Sequence, residues 1–98
     1  MINPTMIVAE LSANHGKDIN IVKQSISKAK DIGCDAVKIQ TYKPETITID
    51  CNNQYFQINN GTIWDGKTLY SLYKEAYLPW EWHKEIFDYA EYIGIKLF

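Results

Sequence analysis

Three side chains in this 98-residue chain combine a chemical type and a spacing suited to reaction chemistry: Glu10, Lys38 and Gln40. Glu10 ends the short apolar run Met6-Ile7-Val8-Ala9-Glu10, and the other two sit in Asp35-Ala36-Val37-Lys38-Ile39-Gln40-Thr41. Both runs read as strands, whose side chains alternate between faces. Met6, Val8 and Glu10 then share one face of the first. In the second, Val37 and Ile39 face packed helices, whereas Ala36, Lys38 and Gln40 share the other side. An amine and an amide make poor packing material, because unpaired polar groups are costly to bury. Parallel α/β architectures place ligands at the C-terminal ends of their strands, where these residues fall. There Glu10 can orient a water or a metal-bound water, and Lys38 offers a compact cation to a phosphate or carboxylate. Gln40 can orient a neutral polar group. The competing reading is a Glu10–Lys38 ion pair that only ties two strands together.

Further candidates lie in loops. Asn14 and His15 follow the first strand closely, although a lone loop histidine is often only solvated or locally bonded. Trp64 beside Asp65 suits a sugar, since an aromatic face and a carboxylate recognise different parts of it; a turn with an anchoring tryptophan is the alternative. His83, inside an amphipathic helix, reads as structural, and Trp80 and Trp82 as core or interface residues. Two scattered histidines give no metal-ligand spacing. Cys34 and Cys51 match no zinc or redox motif and read as reduced thiols.

The elements that must position these groups are legible in the pattern. Residues 11–17 are small and polar and form a loop, after which Asp18 can cap a helix. Ile19, Val22, Ile26 and Ala29 recur at helical spacing, with Lys23, Lys28 and Lys30 on other faces, and Gly33 ends the helix. Strand, helix and strand over about 30 residues make a parallel βαβ unit. Residues 43–66 look irregular: Pro44 breaks structure and three Asn/Asp/Gly clusters signal turns. Within them, residues 47–49 and 55–58 fit short strands or loop anchors. Leu69, Leu72, Tyr73 and Ala76 form a helical stripe. Pro79 suits the first turn of a further helix, with Trp82, Ile86, Ala90 and Ile93 along one side and a stop at Gly94. Ile95-Lys96-Leu97-Phe98 begins a third strand.

Composition narrows the function classes. The chain is 46% hydrophobic and 22% charged with a net charge of -2, which permits a core and excludes a disordered tail. All ten cations are lysine, so the basic surplus and bidentate arginines of a nucleic-acid binder are missing. No apolar run approaches the roughly 20 residues of a membrane span, and the first residues lack the features of a signal peptide. A cytoplasmic protein is expected. All thirteen aromatic residues lie between Tyr42 and Phe98, yet without a repeat or a linker this marks a change of element within one domain.

Three segments carry a resemblance: Ala9-Glu10-Leu11-Ser12-Ala13-Asn14-His15-Gly16, Ala36-Val37-Lys38-Ile39-Gln40-Thr41-Tyr42, and Trp64-Asp65-Gly66-Lys67-Thr68-Leu69-Tyr70, the last running on to Lys84. They resemble the sialic acid synthase family of phosphoenolpyruvate-condensing enzymes, and most of all its branch that makes pseudaminic acid. The resemblance implies a (β/α)8 TIM barrel of which residues 1–98 form the N-terminal part, about three parallel strands of eight. The rest of the barrel and the C-terminal antifreeze-like domain are then absent.

It further implies condensation of phosphoenolpyruvate with an acylated amino-sugar, a 2,4-diacetamido-2,4,6-trideoxyhexose, giving a nonulosonic acid and phosphate. Precursors of N-acetylneuraminic or legionaminic acid are the sibling substrates. By motif, Glu10 matches the catalytic-site carboxylate, Lys38 the lysine contacting phosphoenolpyruvate and Gln40 the glutamine beside the substrates. Asn14 and His15 match the loop motif, and with Thr41 and Tyr42 they are expected to bind substrate. Mn²⁺ or Mg²⁺ and a homodimer are implied for the complete enzyme, whose metal-binding histidines lie on later strands. A barrel needs about 250 residues, so the 98 residues alone are expected to bind no metal and to be inactive. A non-catalytic α/β fragment that pairs its open strand edges with another chain is the alternative class.

Overall fold

A computed structural model of the chain describes residues 4–98. In chain order its elements are β1 (Val8–Glu10), α1 (Ile19–Asp31), β2 (Ala36–Lys38), α2 (Pro44–Ile47), α3 (Leu69–Ala76), α4 (His83–Ile93) and β3 (Lys96–Leu97), with 3-10 turns at Gln54–Phe56 and Trp80–Trp82. Two compact units result: Met1–Gln40 with Leu78–Phe98, and Thr41–Tyr77.

The first unit is a three-stranded parallel sheet in the order β1-β2-β3. Val8 pairs with Ala36, Ala9 with Val37 and Glu10 with Lys38, while Ala36 and Val37 pair with Lys96 and Leu97. Residues opposite one another in a parallel ladder point to the same face. Ala9, Val37 and Leu97 accordingly turn toward the helices, where α1 contributes Val22, Ile26 and Ala29 to the core and α4 contributes Ile86 and Ala90. Glu10 and Lys38 turn the other way, as the alternation predicts. Removing side chains such as Ile26 and Ile86, both 0% exposed, from water stabilises by about 1.5–3 kcal/mol each.

Helix ends follow local chemistry. The Asp18 side chain accepts the Asn20 N–H at 2.9 Å and caps α1, and Gly33 (φ +94°) turns the chain out after it. Lys23 of α1 pairs with Glu85 of α4 at 2.5 Å, and Lys30 Nζ donates to the Ile93 carbonyl at the C-terminus of α4. Pro79 stands just before the 3-10 turn that leads into α4 rather than inside a helical turn.

The second unit holds the stretch that the pattern leaves irregular. Pro44 opens α2 instead of breaking structure, since the first helical position needs no N–H. Residues 55–58 form an anchor, not a strand: the Asn53 side chain draws Tyr55 into a 3-10 turn, Gln57 makes one antiparallel bridge with Thr68, and Ile58 is buried. The Thr68 hydroxyl caps α3 by accepting the Ser71 N–H at 3.1 Å. No helix among the described residues is long and apolar enough to cross a membrane.

Candidate active site

Parallel pairing in register brings Glu10 and Lys38 side by side at the C-terminal ends of β1 and β2, on the face away from the helices. Lys38 Nζ lies 3.4 Å from Glu10 Oε2, with the two side chains 50% and 36% exposed. The other carboxylate oxygen, Oε1, accepts the Ser12 backbone N–H at 2.9 Å and the Ser12 hydroxyl at 3.3 Å. Opposite charges thus meet where a ligand can reach them. Gln40 follows two residues beyond Lys38, half-buried and past the last residue of β2.

The loop after β1 is a chain of tight turns. Asn14 donates from Nδ2 and from its backbone N–H to the Leu11 carbonyl, at 3.0 and 3.1 Å. His15 is buried; its Nδ1 accepts the Lys17 N–H at 2.9 Å, which puts the proton of the neutral ring on Nε2. Its ring meets Trp82 edge-on at 6.2 Å. Ser12 (φ +50°) and Lys17 (φ +56°) are left-handed, a conformation that is rare for non-glycine residues. The sequence pattern passes over Ser12. Its only signal is a hydroxyl two residues after a strand-ending carboxylate, which favours local side-chain bonding.

Thr41, Tyr42, Trp64 and Asp65 belong to the second unit. Tyr42 packs edge-on to Tyr73 at 5.5 Å, and burial, then Tyr73, raises its phenol pKa above the ordinary 10.0. The Asp65 carboxylate accepts the backbone N–H groups of Asn60, Gly61 and Thr62 at 3.0–3.2 Å, which ties the loop around itself. Trp64 stands beside it, 37% exposed. His83 and Trp82 have packing roles: His83 Nδ1 meets the Trp80 carbonyl at 3.0 Å, and Trp82 packs on the core of the first unit.

The divalent ion that the resemblance implies finds no donor set in these residues. Among the described residues no three His, Cys, Asp or Glu side chains converge, and the Glu10 oxygens and His15 Nδ1 already hold protein partners. Cys34 and Cys51 are free thiols.

The described residues thus present a parallel α/β layer with an accessible carboxylate–amine pair at the C-terminal strand ends, the edge at which such sheets bind ligands. The sequence model of the NeuB family matches residues 25–98, and the chain belongs to that family. It is 45% identical over 98 residues to the pseudaminic acid synthase of Helicobacter pylori, covering all of this chain and 28% of that protein. With the pseudaminic acid synthase of Campylobacter jejuni it shares 46% identity over 92 residues, covering 94% of this chain and 26% of the relative. The N,N'-diacetyllegionaminic acid synthase of Legionella pneumophila is 33% identical over 91 residues, covering 92% and 25%. The chain thus spans little more than a quarter of the length of the curated relatives it matches.

Proposed function

We propose that this chain forms the N-terminal part of a nonulosonic acid synthase, a phosphoenolpyruvate-dependent transferase that makes a C–C bond to an acylated amino-sugar. The preferred sugar is a 2,4-diacetamido-2,4,6-trideoxyhexose, the pseudaminic acid precursor, because the two most similar relatives described above are named for that product. The observation that carries the reading is the Glu10–Lys38 pair in register at the C-terminal strand ends. An exposed ion pair contributes only about 0–1 kcal/mol of stability, so strand-tying alone gives little reason to place both charges there.

In the reaction, C3 of phosphoenolpyruvate bonds to the sugar aldehyde carbon and the aldehyde oxygen takes up a proton. Water then adds to C2, and the C2–O bond breaks to release phosphate. The Lys38 ammonium meets the anionic phosphate or carboxylate. Glu10 holds the water and accepts its proton, and Gln40 orients a neutral polar group. Asn14 and His15 shape the loop beside Glu10. Thr41 and Tyr42 are assigned to the substrates through the resembling motif, and Trp64 and Asp65 to the sugar on residue chemistry alone. Three parallel strands suit part of a (β/α)8 barrel of about 250 residues, so the 98 residues alone are inactive. A cytoplasmic homodimer using Mn²⁺ or Mg²⁺ completes the reading, and none of these steps is routed through the metal.

Phosphate release from phosphoenolpyruvate and the 2,4-diacetamido sugar tests this in the protein as its gene encodes it. Glu10→Gln is expected to lower kcat by about 10²-fold or more, with stability changed by less than about 1 kcal/mol. Lys38→Met is expected to raise the KM for phosphoenolpyruvate. Full activity of Glu10→Gln would remove the reading. Faster turnover of N-acetylmannosamine or of the legionaminic precursor would replace the substrate, and turnover by the isolated 98 residues would refute their inactivity.

A second reading is favoured by the sheet order, which leaves one side of β1 and one of β3 without a strand neighbour among the described residues. A non-catalytic chain would act by strand-edge pairing, and a wild type that binds another chain but releases no phosphate would select it.

A further inference from the structure

A carboxylate that is to hold one water in one place must itself be held. Glu10 is the last residue of β1; the ladder bond that follows it, from the Leu11 N–H to the Lys38 carbonyl at 3.0 Å, holds its backbone but not its carboxylate. Two residues on, Ser12 adopts φ +50°, a conformation unfavourable for a residue with a Cβ. That backbone turn aims both Ser12 donors at the same atom: the N–H reaches Glu10 Oε1 at 2.9 Å and the hydroxyl at 3.3 Å. Oε2 is left turned toward Lys38 at 3.4 Å. One oxygen is therefore fixed by the loop, and the other faces the cation and the accessible side of the sheet.

Local bonding alone does not account for this arrangement. A glycine at position 12 would keep the N–H contact without the left-handed penalty, so the feature specific to serine is the hydroxyl on Oε1. We propose that Ser12 is a positioning residue for Glu10: it clamps Oε1 so that Oε2 presents its lone pairs to the water that attacks C2. The proposal rests on the synthase reading of Glu10. Ser12 touches no reacting atom and acts only through the carboxylate.

Phosphate release and thermal unfolding of the protein as encoded, compared for wild type, Ser12→Gly, Ser12→Asn and Glu10→Gln, separate the possibilities. Ser12→Gly relieves strain and is expected to unfold at an equal or higher temperature. Its kcat nevertheless falls about tenfold, with the KM for phosphoenolpyruvate unchanged, as for an interaction realised only in the transition state. Asparagine tolerates the left-handed region and supplies an amide donor, so Ser12→Asn is expected to recover most of the lost kcat.

A Ser12→Gly enzyme with full kcat, beside an inactive Glu10→Gln, overturns the positioning role and leaves the synthase reading intact. A Ser12→Gly enzyme that loses activity only in step with lost stability overturns the role as well. Full activity of Glu10→Gln, or no turnover by the wild type, defeats the synthase reading and this proposal together.

Discussion

Tyr42 is a useful gauge of its surroundings because its phenol is perturbed upward, first by partial burial and then by Tyr73, whose ring lies 5.5 Å away. Burial disfavours the charged phenolate, so the folded state holds the Tyr42 proton to higher pH than the unfolded state does. This group therefore leaves stability unchanged with pH below about 10, the ordinary tyrosine value, and lowers it as the pH rises from there through the folded-state value. Tyrosinate absorbance of wild type minus Tyr42→Phe is therefore expected to show a phenol that titrates above the ordinary value, and Tyr73→Phe should bring it part of the way down. A difference curve centred at or below the ordinary value would contradict this environment. At the same scale, Glu10 and Lys38 were open to sequence reading because strand alternation fixes a side chain's face and strand order its end. Ser12 was not, since the sign of a φ angle leaves no trace in a polarity pattern. Nor does the residue type of Asp65 distinguish a sugar ligand from what the structure displays, a carboxylate collecting three backbone N–H groups.

Elements were legible where they are long and capped. Asp18, Gly33 and Gly94 mark the ends of α1 and α4 in the sequence and do so in the structure. The four residues of α2 and the 3-10 turns fall below the length at which periodicity can speak, and side-chain caps on Tyr55 and Ser71 decide their neighbourhood instead. Gly94 allows a quantitative check. Its φ is +82°, and a Cβ there would approach Lys30 Nζ at 3.2 Å; Gly33, at φ +94°, has nothing within 4 Å. Both Gly→Ala changes incur the left-handed penalty of about 1–2 kcal/mol. The Lys30 amine is the far end of a flexible side chain and can move aside, so Gly94→Ala should exceed Gly33→Ala by no more than about 0.5 kcal/mol, given the low torsional cost of shifting a side chain. Each change is expected to lower Tm by roughly 4–8 °C per kcal/mol for a chain of this size. A much larger loss at Gly94 would mean that the Lys30–Ile93 contact is a principal support of α4.

On the scale of the whole chain, the core of the first unit is assembled from two stretches far apart in sequence. Val22, Ile26, Ala29, Val37 and Ile39 come from the first forty residues; Leu78, Ile86, Ala90 and Ile95 come from the last twenty-one. The helical stripes and the βαβ order predict each contribution separately. That Thr41–Tyr77 forms a unit of its own was not visible, because its turns carry no long periodic pattern and its change in aromatic content reads equally well as a change of element. A shared core has a thermodynamic signature. Ile26→Ala and Ile86→Ala each remove a side chain that is 0% exposed, and each should cost about 2–5 kcal/mol. That is a large share of the roughly 5–15 kcal/mol that holds a typical domain folded. If α1 and α4 line one core, the neighbours of each isoleucine relax differently once the other has gone, and the double variant should depart from the sum of the singles by about 0.5 kcal/mol or more. Equilibrium denaturation of the four proteins in the cycle measures that difference, with the smaller single substitutions Ile26→Val and Ile86→Val as a second cycle should the alanine pair fail to fold. Strict additivity in both cycles would show that the two stretches pack independently, and the single core described for the first unit would have to be given up.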